Sequence, residues 1–230
     1  MAETSPTTDA VVDAALALAA RQPWQDVGLA DIAAEAGLDL ADLRQVAASK
    51  AHILALFSRR VDTLLLKALK AETLEGQAHD RLFDVIMRRL DILQPWRAAV
   101  KSILAAGPGD PLAVAAAGLN AIDGQRWVMA AAGIDLPRES IAQGLRLAGL
   151  ALVHHRVLRV WAEDDDPGLA RTMAALDGQL RDGATWLKRL DGPMALCAGM
   201  ARALRTLVRG ASTSPVTPQP PAEDIKEGQP

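Results

Sequence analysis

Apolar residues recur three or four positions apart along most of this chain, and this spacing constrains its fold more than any other feature. It places apolar side chains on one face of an α-helix, whereas a half-buried strand would need strict alternation. Aromatic residues make up 3% of the chain, and β-branched residues are too sparse for an all-β fold. The sequence therefore predicts an all-α protein. Two clear stripes are Val12, Ala15, Leu16 and Ala19, and then Ile53, Leu56, Phe57, Val61, Leu64 and Leu65.

Glycine and proline residues divide this helical pattern into segments, and Ser49 is a predicted N-cap. The predicted helices are 9–22, 29–36, 39–46, 50–73, 80–93, 95–105, 110–132, 138–162, 167–190 and 194–209. They predict a small helix-turn-helix head followed by a larger helical body. The predicted parts are a disordered segment 1–8, the head 9–48, the body 49–192, an amphipathic terminal helix 193–210 and a disordered tail 211–230.

The composition and the known motifs exclude several classes of function. A net charge of −3 and a pI near 5.8 predict no general attraction to nucleic acid. A single cysteine, Cys197, excludes a disulfide framework and a cysteine-rich zinc site. No phosphate loop, nucleophile elbow or metal-spaced histidine set is present, so we expect no catalytic residue, metal or cofactor. Residues 1–9 do not form a signal peptide and no apolar run could span a membrane, so a cytoplasmic location is expected.

The order of short helices in the head, followed by Ser49-Lys50, resembles the N-terminal domain of the TetR family of transcription regulators. The resemblance implies a TetR-like fold with a ligand-binding and dimerisation body, and implies that DNA would be contacted by Arg44, Gln45 and Lys50. The residues that carry it are Asp13-Ala14-Ala15-Leu16, Leu29 to Ala33, Ala36-Gly37-Leu38, Leu43 and Ser49-Lys50.

The charge of the head predicts weak DNA binding. Residues 1–50 contain eight acidic and three basic residues, a balance of −5. Asp39 and Asp42 lie in the predicted recognition helix, where a DNA reader needs donors to phosphates and bases. The head is therefore either an operator reader or a structural scaffold that packs on the body.

Several segments of the body resemble the coenzyme Q biosynthesis protein nine family. The resemblance implies an isoprenoid quinone or other lipid ligand, a ubiquinone-pathway hydroxylase as partner and a helix-turn-helix that does not bind DNA. The segments that carry it are Arg88 to Ala98, Asp123 to Trp127, Ala131 to Gly133, Val160 to Thr172 and Leu176-Asp177.

The tryptophans, acids and histidines of the body can also be explained by structural roles alone. Trp96, Trp127 and Trp161 are predicted either to line a ligand pocket or to be ordinary core. The acids 164–166 precede a proline and are predicted to be solvated turn and N-cap residues rather than metal ligands. Adjacent His154 and His155 predict one packed and one exposed side chain.

Two helical surfaces are predicted to contact partners. Small residues at Gly144, Ala148 and Ala151, with Leu152, predict a two-fold dimer interface within 138–190. The terminal helix has apolar and basic residues and no acid, so it either binds the membrane surface or folds back on the body. Its predicted membrane-binding residues are Leu196, Met200, Arg202, Leu204, Arg205, Leu207 and Arg209.

Two hypotheses follow, and both are non-catalytic. The first is a lipid- or quinone-precursor-binding accessory protein of ubiquinone biosynthesis, homodimeric and peripheral to the inner membrane. The second is a TetR-family repressor that reads DNA and senses a small apolar effector.

Overall fold

A computed structural model describes residues 6–106, 111–134 and 141–183, all within the first of two units of the chain, Met1–Leu187. The helices are α1 (Pro6–Arg21), α2 (Leu29–Glu35), α3 (Leu40–Val46), α4 (Lys50–Leu69), α5 (Ala78–Leu93), α6 (Arg97–Ala105), α7 (Pro111–Ala131), α8 (Ile141–Ala162) and α9, described over 170–183. These ranges contain no strand, which confirms the all-α prediction. The predicted terminal helix and tail lie outside the described residues.

Local sequence signals explain the ends of the short helices. Gly37 has φ of +69°, a conformation that side chains other than glycine rarely adopt, and it separates α2 from α3. The Asp39 carboxylate accepts a hydrogen bond from the Asp42 N–H at 2.7 Å, and the Ser49 hydroxyl accepts one from the His52 N–H at 3.2 Å. Both are N-caps.

Several helix ends differ from the prediction by two to four residues, and α1 and α4 are the examples with a clear physical cause. α1 begins at Pro6, three residues before the predicted start, because a proline in the first helical turn has a favourable φ and loses no hydrogen bond. The predicted disordered segment 1–8 is therefore wrong for residues 6–8. α4 ends at Leu69 rather than near Thr73. Residues 70–73 are exposed and have no core to pack against, so nothing extends the helix.

The head and the body share one apolar core. α1 packs against α2 and α3 of the head, and also against α4 and α6 of the body. The buried residues of all these helices form one contiguous cluster with those of α5, α7, α8 and α9. Among the described residues, no helix is long and apolar enough to cross a membrane. Large side chains that are fully buried include Ile32, Ile53, Leu65, Ile86, Leu90, Trp161 and Leu176.

The acidic turn between α8 and α9 differs from its predicted solvated state at one residue. Asp164 is fully buried, and its Oδ2 accepts hydrogen bonds from the Thr172 N–H at 2.8 Å and the Thr172 hydroxyl at 2.7 Å. Asp166 is exposed and accepts from the N–H groups of Gly168 and Ala170 at 3.1 Å. Asp164 therefore closes the turn from inside, because a buried carboxylate requires donors that offset its desolvation.

Replacing Asp164 with asparagine should lower the melting temperature at neutral pH. The hydrogen bonds from Thr172 lower the pKa of Asp164 below its usual 3.8, so the carboxylate stabilises the fold above that pH and loses its contribution as pH falls through the lowered pKa. The difference between wild type and Asp164→Asn should therefore shrink from about pH 4 downward. Thermal melts from about pH 7 to about pH 3 check this. Asp165→Asn, at a fully exposed neighbour, is the control, and a pH-independent difference would contradict the prediction.

Candidate functional site

The outer face of α3 is the first candidate site, because α3 is the predicted recognition helix and most of its side chains are exposed. Arg44 and Gln45 are exposed, as predicted for DNA-contacting residues, and Leu40 is 57% exposed. At 100° per residue, Ala41 and Gln45 lie opposite the buried Leu43, with Arg44 and the equally exposed Asp42 flanking them on either side. Leu40 lies nearer to Leu43 around the helix, yet its side chain is exposed at the first turn. Leu40 is thus a large apolar side chain exposed on the candidate DNA-contacting helix, and composition alone does not predict its exposure.

Lys50 lies differently from its predicted DNA-contacting position. Its Nζ donates to the backbone carbonyls of Trp24 and Val27, both at 2.6 Å, and lies 4.4 Å from the centroid of the Trp24 ring. Burial lowers the pKa of Lys50, while Asp26 and Asp31 oppose this change. The ammonium group is therefore already hydrogen-bonded, and it fixes the connection between α1 and α2 to the start of α4.

Ion pairs use several acids of the head. Arg60 of α4 pairs with Asp9 at 2.7 Å and also with Asp13. Arg21 pairs with Glu35 at 2.6 Å. The count of charges in residues 1–50 omits Arg60, so it overstates the negative field of the folded head. The repulsion of DNA predicted from that count is correspondingly reduced.

The three tryptophans of the predicted ligand pocket have separate surroundings. Trp161 is fully buried, with the Arg97 guanidinium 5.7 Å from its ring centroid. Trp96 is half-buried and makes an edge-to-face contact with Phe57 at 5.4 Å. Trp127 is 51% exposed and is the only one of the three that lines a described cavity. The interpretation as ordinary core therefore fits Trp161, because its ring is fully buried within the contiguous apolar core.

A cavity of about 410 Å³ lies between α4 and α7 and is the second candidate site. Beneath it, Asp62 and Arg89 form a buried ion pair through Asp62 Oδ1, and Arg89 also donates to the Ser58 hydroxyl at 3.3 Å. Burial raises the pKa of Asp62, and the nearby Asp123 adds to the rise, whereas Arg89 opposes it. Sequence analysis missed this pair, although an acid at 62 and a base at 89 interrupt apolar stripes. The lining residues are Ala55, Ser58, Arg59, Asp62, Thr63, Leu66, Asp123, Gly124 and Trp127.

The two histidines of α8 behave as predicted. His154 is buried and His155 is exposed. Burial lowers the pKa of His154 to about 3, with Arg89 and His155 adding to the shift, so the imidazole is neutral at physiological pH. The described residues contain no group of three or more side chains that could hold a metal ion.

Replacing Lys50 with methionine should lower the free energy of unfolding by about 1–2 kcal/mol, because two carbonyls lose a charged donor. Denaturant unfolding followed by circular dichroism measures this change. Arg44→Met is the matched control, because it removes an exposed basic side chain from the same head. Equal stability of the two variants would argue against the structural role of Lys50.

Comparisons with known proteins bear on the fold. No protein-family model and no curated protein sequence matches the chain. A solved TetR transcriptional regulator from Nitrosomonas europaea ATCC 19718 is similar at 26% identity with a TM-score of 0.58, over 78% of this chain and 99% of that one. A TetR transcriptional regulator from Rhodococcus sp. RHA1 gives a TM-score of 0.60 at 17% identity, over 79% and 97% of the two chains. These likenesses give no support to the coenzyme Q resemblance of the body. They confirm the predicted TetR-like fold.

Proposed function

We propose that this protein is a TetR-type transcriptional regulator that binds DNA through α3 as a homodimer and responds to a small-molecule ligand. The observation that carries the proposal is the likeness, at 26% identity, to a TetR transcriptional regulator over almost all of that regulator's length. The exposed outer face of α3 supports it. A recognition helix reads bases only when its outward side chains are not used inside the head.

The side chains on this face suit direct reading of bases. Gln45 is suited to the paired donor and acceptor of adenine, and Arg44 to guanine or a phosphate. Leu40 and Ala41 are suited to the methyl group of thymine, which is the apolar feature of the major groove. Few basic residues accompany them, so binding would depend on base contacts more than on phosphates. Non-specific affinity should accordingly be low.

The accessory role in ubiquinone biosynthesis has less support. The comparisons do not favour it, and two residues from its most specific segment have structural roles here. Trp161 is buried in the core, and Asp164 closes the turn before α9. The helix predicted to bind the membrane lies outside the described residues. We therefore do not extend the proposal to a lipid ligand or a hydroxylase partner.

The DNA-binding proposal predicts that the full chain enriches specific duplexes from a random pool at about 50 mM salt, where phosphate contacts are strongest. Arg44→Ala should weaken binding to the enriched duplex by about tenfold or more, because it loses a base or phosphate contact. Fluorescence anisotropy measures the affinity. Arg88→Ala, which removes a half-buried base of α5 that pairs with Glu72, should bind like wild type. Absence of any enriched sequence would contradict the proposal.

The outward side of α8 supports the homodimer. Leu145 and Leu152 are 40% and 49% exposed and lie seven residues apart. A Cβ placed on Gly144 or Gly149 would meet no atom within 4 Å, so a partner helix could approach closely there. Two copies of this face would bury the two leucines and bring the glycines of the two helices together, as a two-fold interface requires.

Replacing Leu152 with glutamate should convert the dimer to a monomer, because two like charges would be placed at a two-fold interface without partners. Size-exclusion chromatography with light scattering measures the mass. Leu64→Glu, at a leucine of α4 with 37% exposure, should leave the mass unchanged. A Leu152→Glu protein that keeps the wild-type dimer mass would place the interface elsewhere.

A further inference from the structure

We propose that the cavity between α4 and α7 binds a small organic cation, an ammonium or amidinium group on an aromatic or aliphatic body, as the effector. This inference deepens the proposed regulatory function. The role of the cation as an effector rests on that function, whereas its binding can be measured without DNA. The volume of about 410 Å³ falls within the range of small-molecule sites in proteins.

Asp62 supplies the first element of the site. Arg89 donates to Oδ1 of this carboxylate, while Oδ2 accepts no described hydrogen bond. Asp62 is 7% exposed, and Oδ2 is not among the fully buried polar atoms that lack a partner, so it is reached from the cavity that Asp62 lines. A Cβ on Gly124 would lie 3.6 Å from Oδ2 and 3.7 Å from the Ser58 hydroxyl oxygen. The absence of a side chain at Gly124 therefore leaves both polar atoms uncovered on the α7 side.

Trp127 and Asp123 supply the second element. Trp127 lines the same cavity and exposes half of its surface, although a large indole is usually more buried. Asp123 is one turn before Trp127 on α7, and its side chain is 71% exposed. An indole face and a carboxylate side by side attract an organic cation, by cation–π and by Coulombic interaction.

The lining of the cavity carries two carboxylates against one base, which favours a cation over an anion. Asp62 and Asp123 are the carboxylates, and their mutual repulsion contributes to the raised pKa of Asp62. Arg59 is the basic lining residue and is exposed, while Arg89 pairs with Asp62 and Arg126 lies 3.8 Å from Asp123, both outside the lining. A bound cation would donate to Oδ2 and relieve the repulsion between the two acids. An anion would meet both carboxylates without a buried donor of its own.

The probes are phenethylammonium, benzamidinium and benzyltrimethylammonium, with neutral 2-phenylethanol and anionic 3-phenylpropionate as comparisons. Isothermal titration calorimetry of the full chain without DNA measures binding up to about 1 mM probe. At least one cation should bind, and at least about tenfold more tightly than the alcohol. The proposal is overturned if no cation binds, or if the neutral or anionic probe binds as well.

Gly124→Ala is the decisive variant, because alanine favours a helix over glycine by about 1 kcal/mol and fits at an ordinary contact distance. The variant should be at least as stable as wild type, yet bind the cation about tenfold more weakly because its methyl group covers Oδ2. Trp127→Leu and Asp123→Asn should each weaken binding by about threefold. Gly178→Ala and Asp91→Asn, at open or exposed positions outside the cavity, should bind like wild type.

The outcomes separate this inference from the proposed function. Wild-type affinity in Gly124→Ala would place the bound cation elsewhere and overturn the inference. If the protein binds the cation and no DNA, the cation site is supported and the regulatory function is contradicted. If it binds DNA and no cation, the regulatory function is supported and the cation site is overturned. Duplex affinity of ligand-free Gly124→Ala should equal that of wild type, because the substitution leaves the head unchanged.

Discussion

The position of the head depends on the hydroxyl of Ser102 in α6. It accepts a hydrogen bond from the Trp24 N–H at 3.0 Å and donates to the Gln22 carbonyl at 3.1 Å. Between these residues lies Pro23, which has no N–H, and α6 supplies the partners for the Trp24 N–H and the Gln22 carbonyl. Lys50 holds the Trp24 and Val27 carbonyls of the same connection. Further along α6, Arg97 donates to the Asp164 carbonyl and Lys101 pairs with Glu163 at 2.7 Å. One short helix thus contacts both the head connection and the turn before α9.

The charges of the head show why a net count is a poor guide to DNA binding. Asp9 and Asp13 pair with Arg60, which lies beyond the first fifty residues. Asp31 caps the start of α2, and Asp39 caps the start of α3. Lys50, the first base after the recognition helix in sequence, donates instead to the connection between α1 and α2. What remains exposed on α3 is one base, one amide, the acid Asp42 and two apolar residues. Such a surface gives little attraction at a distance and depends on close fit to a particular sequence of bases.

Periodicity and punctuation were sufficient for the helices, because each is set by local signals such as the Gly37 turn and the Ser49 cap. They failed where a long-range partner decides the outcome. Asp164 looks like a solvated turn residue until Thr172 is folded over it. Lys50 looks like a phosphate contact until the Trp24 and Val27 carbonyls reach it. The tryptophans were grouped by residue type, yet burial separates Trp161 from Trp127. The Asp62–Arg89 pair was visible as charge within apolar stripes, but only the packing of α4 on α5 and α7 places it under a cavity.

The helix α4 connects the two candidate sites. Lys50 at its first residue holds the head connection, and Ser58 and Asp62 line the cavity about 12 and 18 Å further along the axis. A ligand can change DNA affinity only if it binds two arrangements of the protein with different affinity. The cavity meets this requirement if the separation of α4 and α7 differs between the two arrangements of the protein. Oδ2 of Asp62 belongs to α4 and the indole of Trp127 belongs to α7, so a ligand that contacts both senses that separation. A cation that contacts both would favour one separation of these helices. Since α4 is a continuous helix, displacement at Asp62 would carry Lys50 and the backbone that it holds, and thereby the orientation of α3.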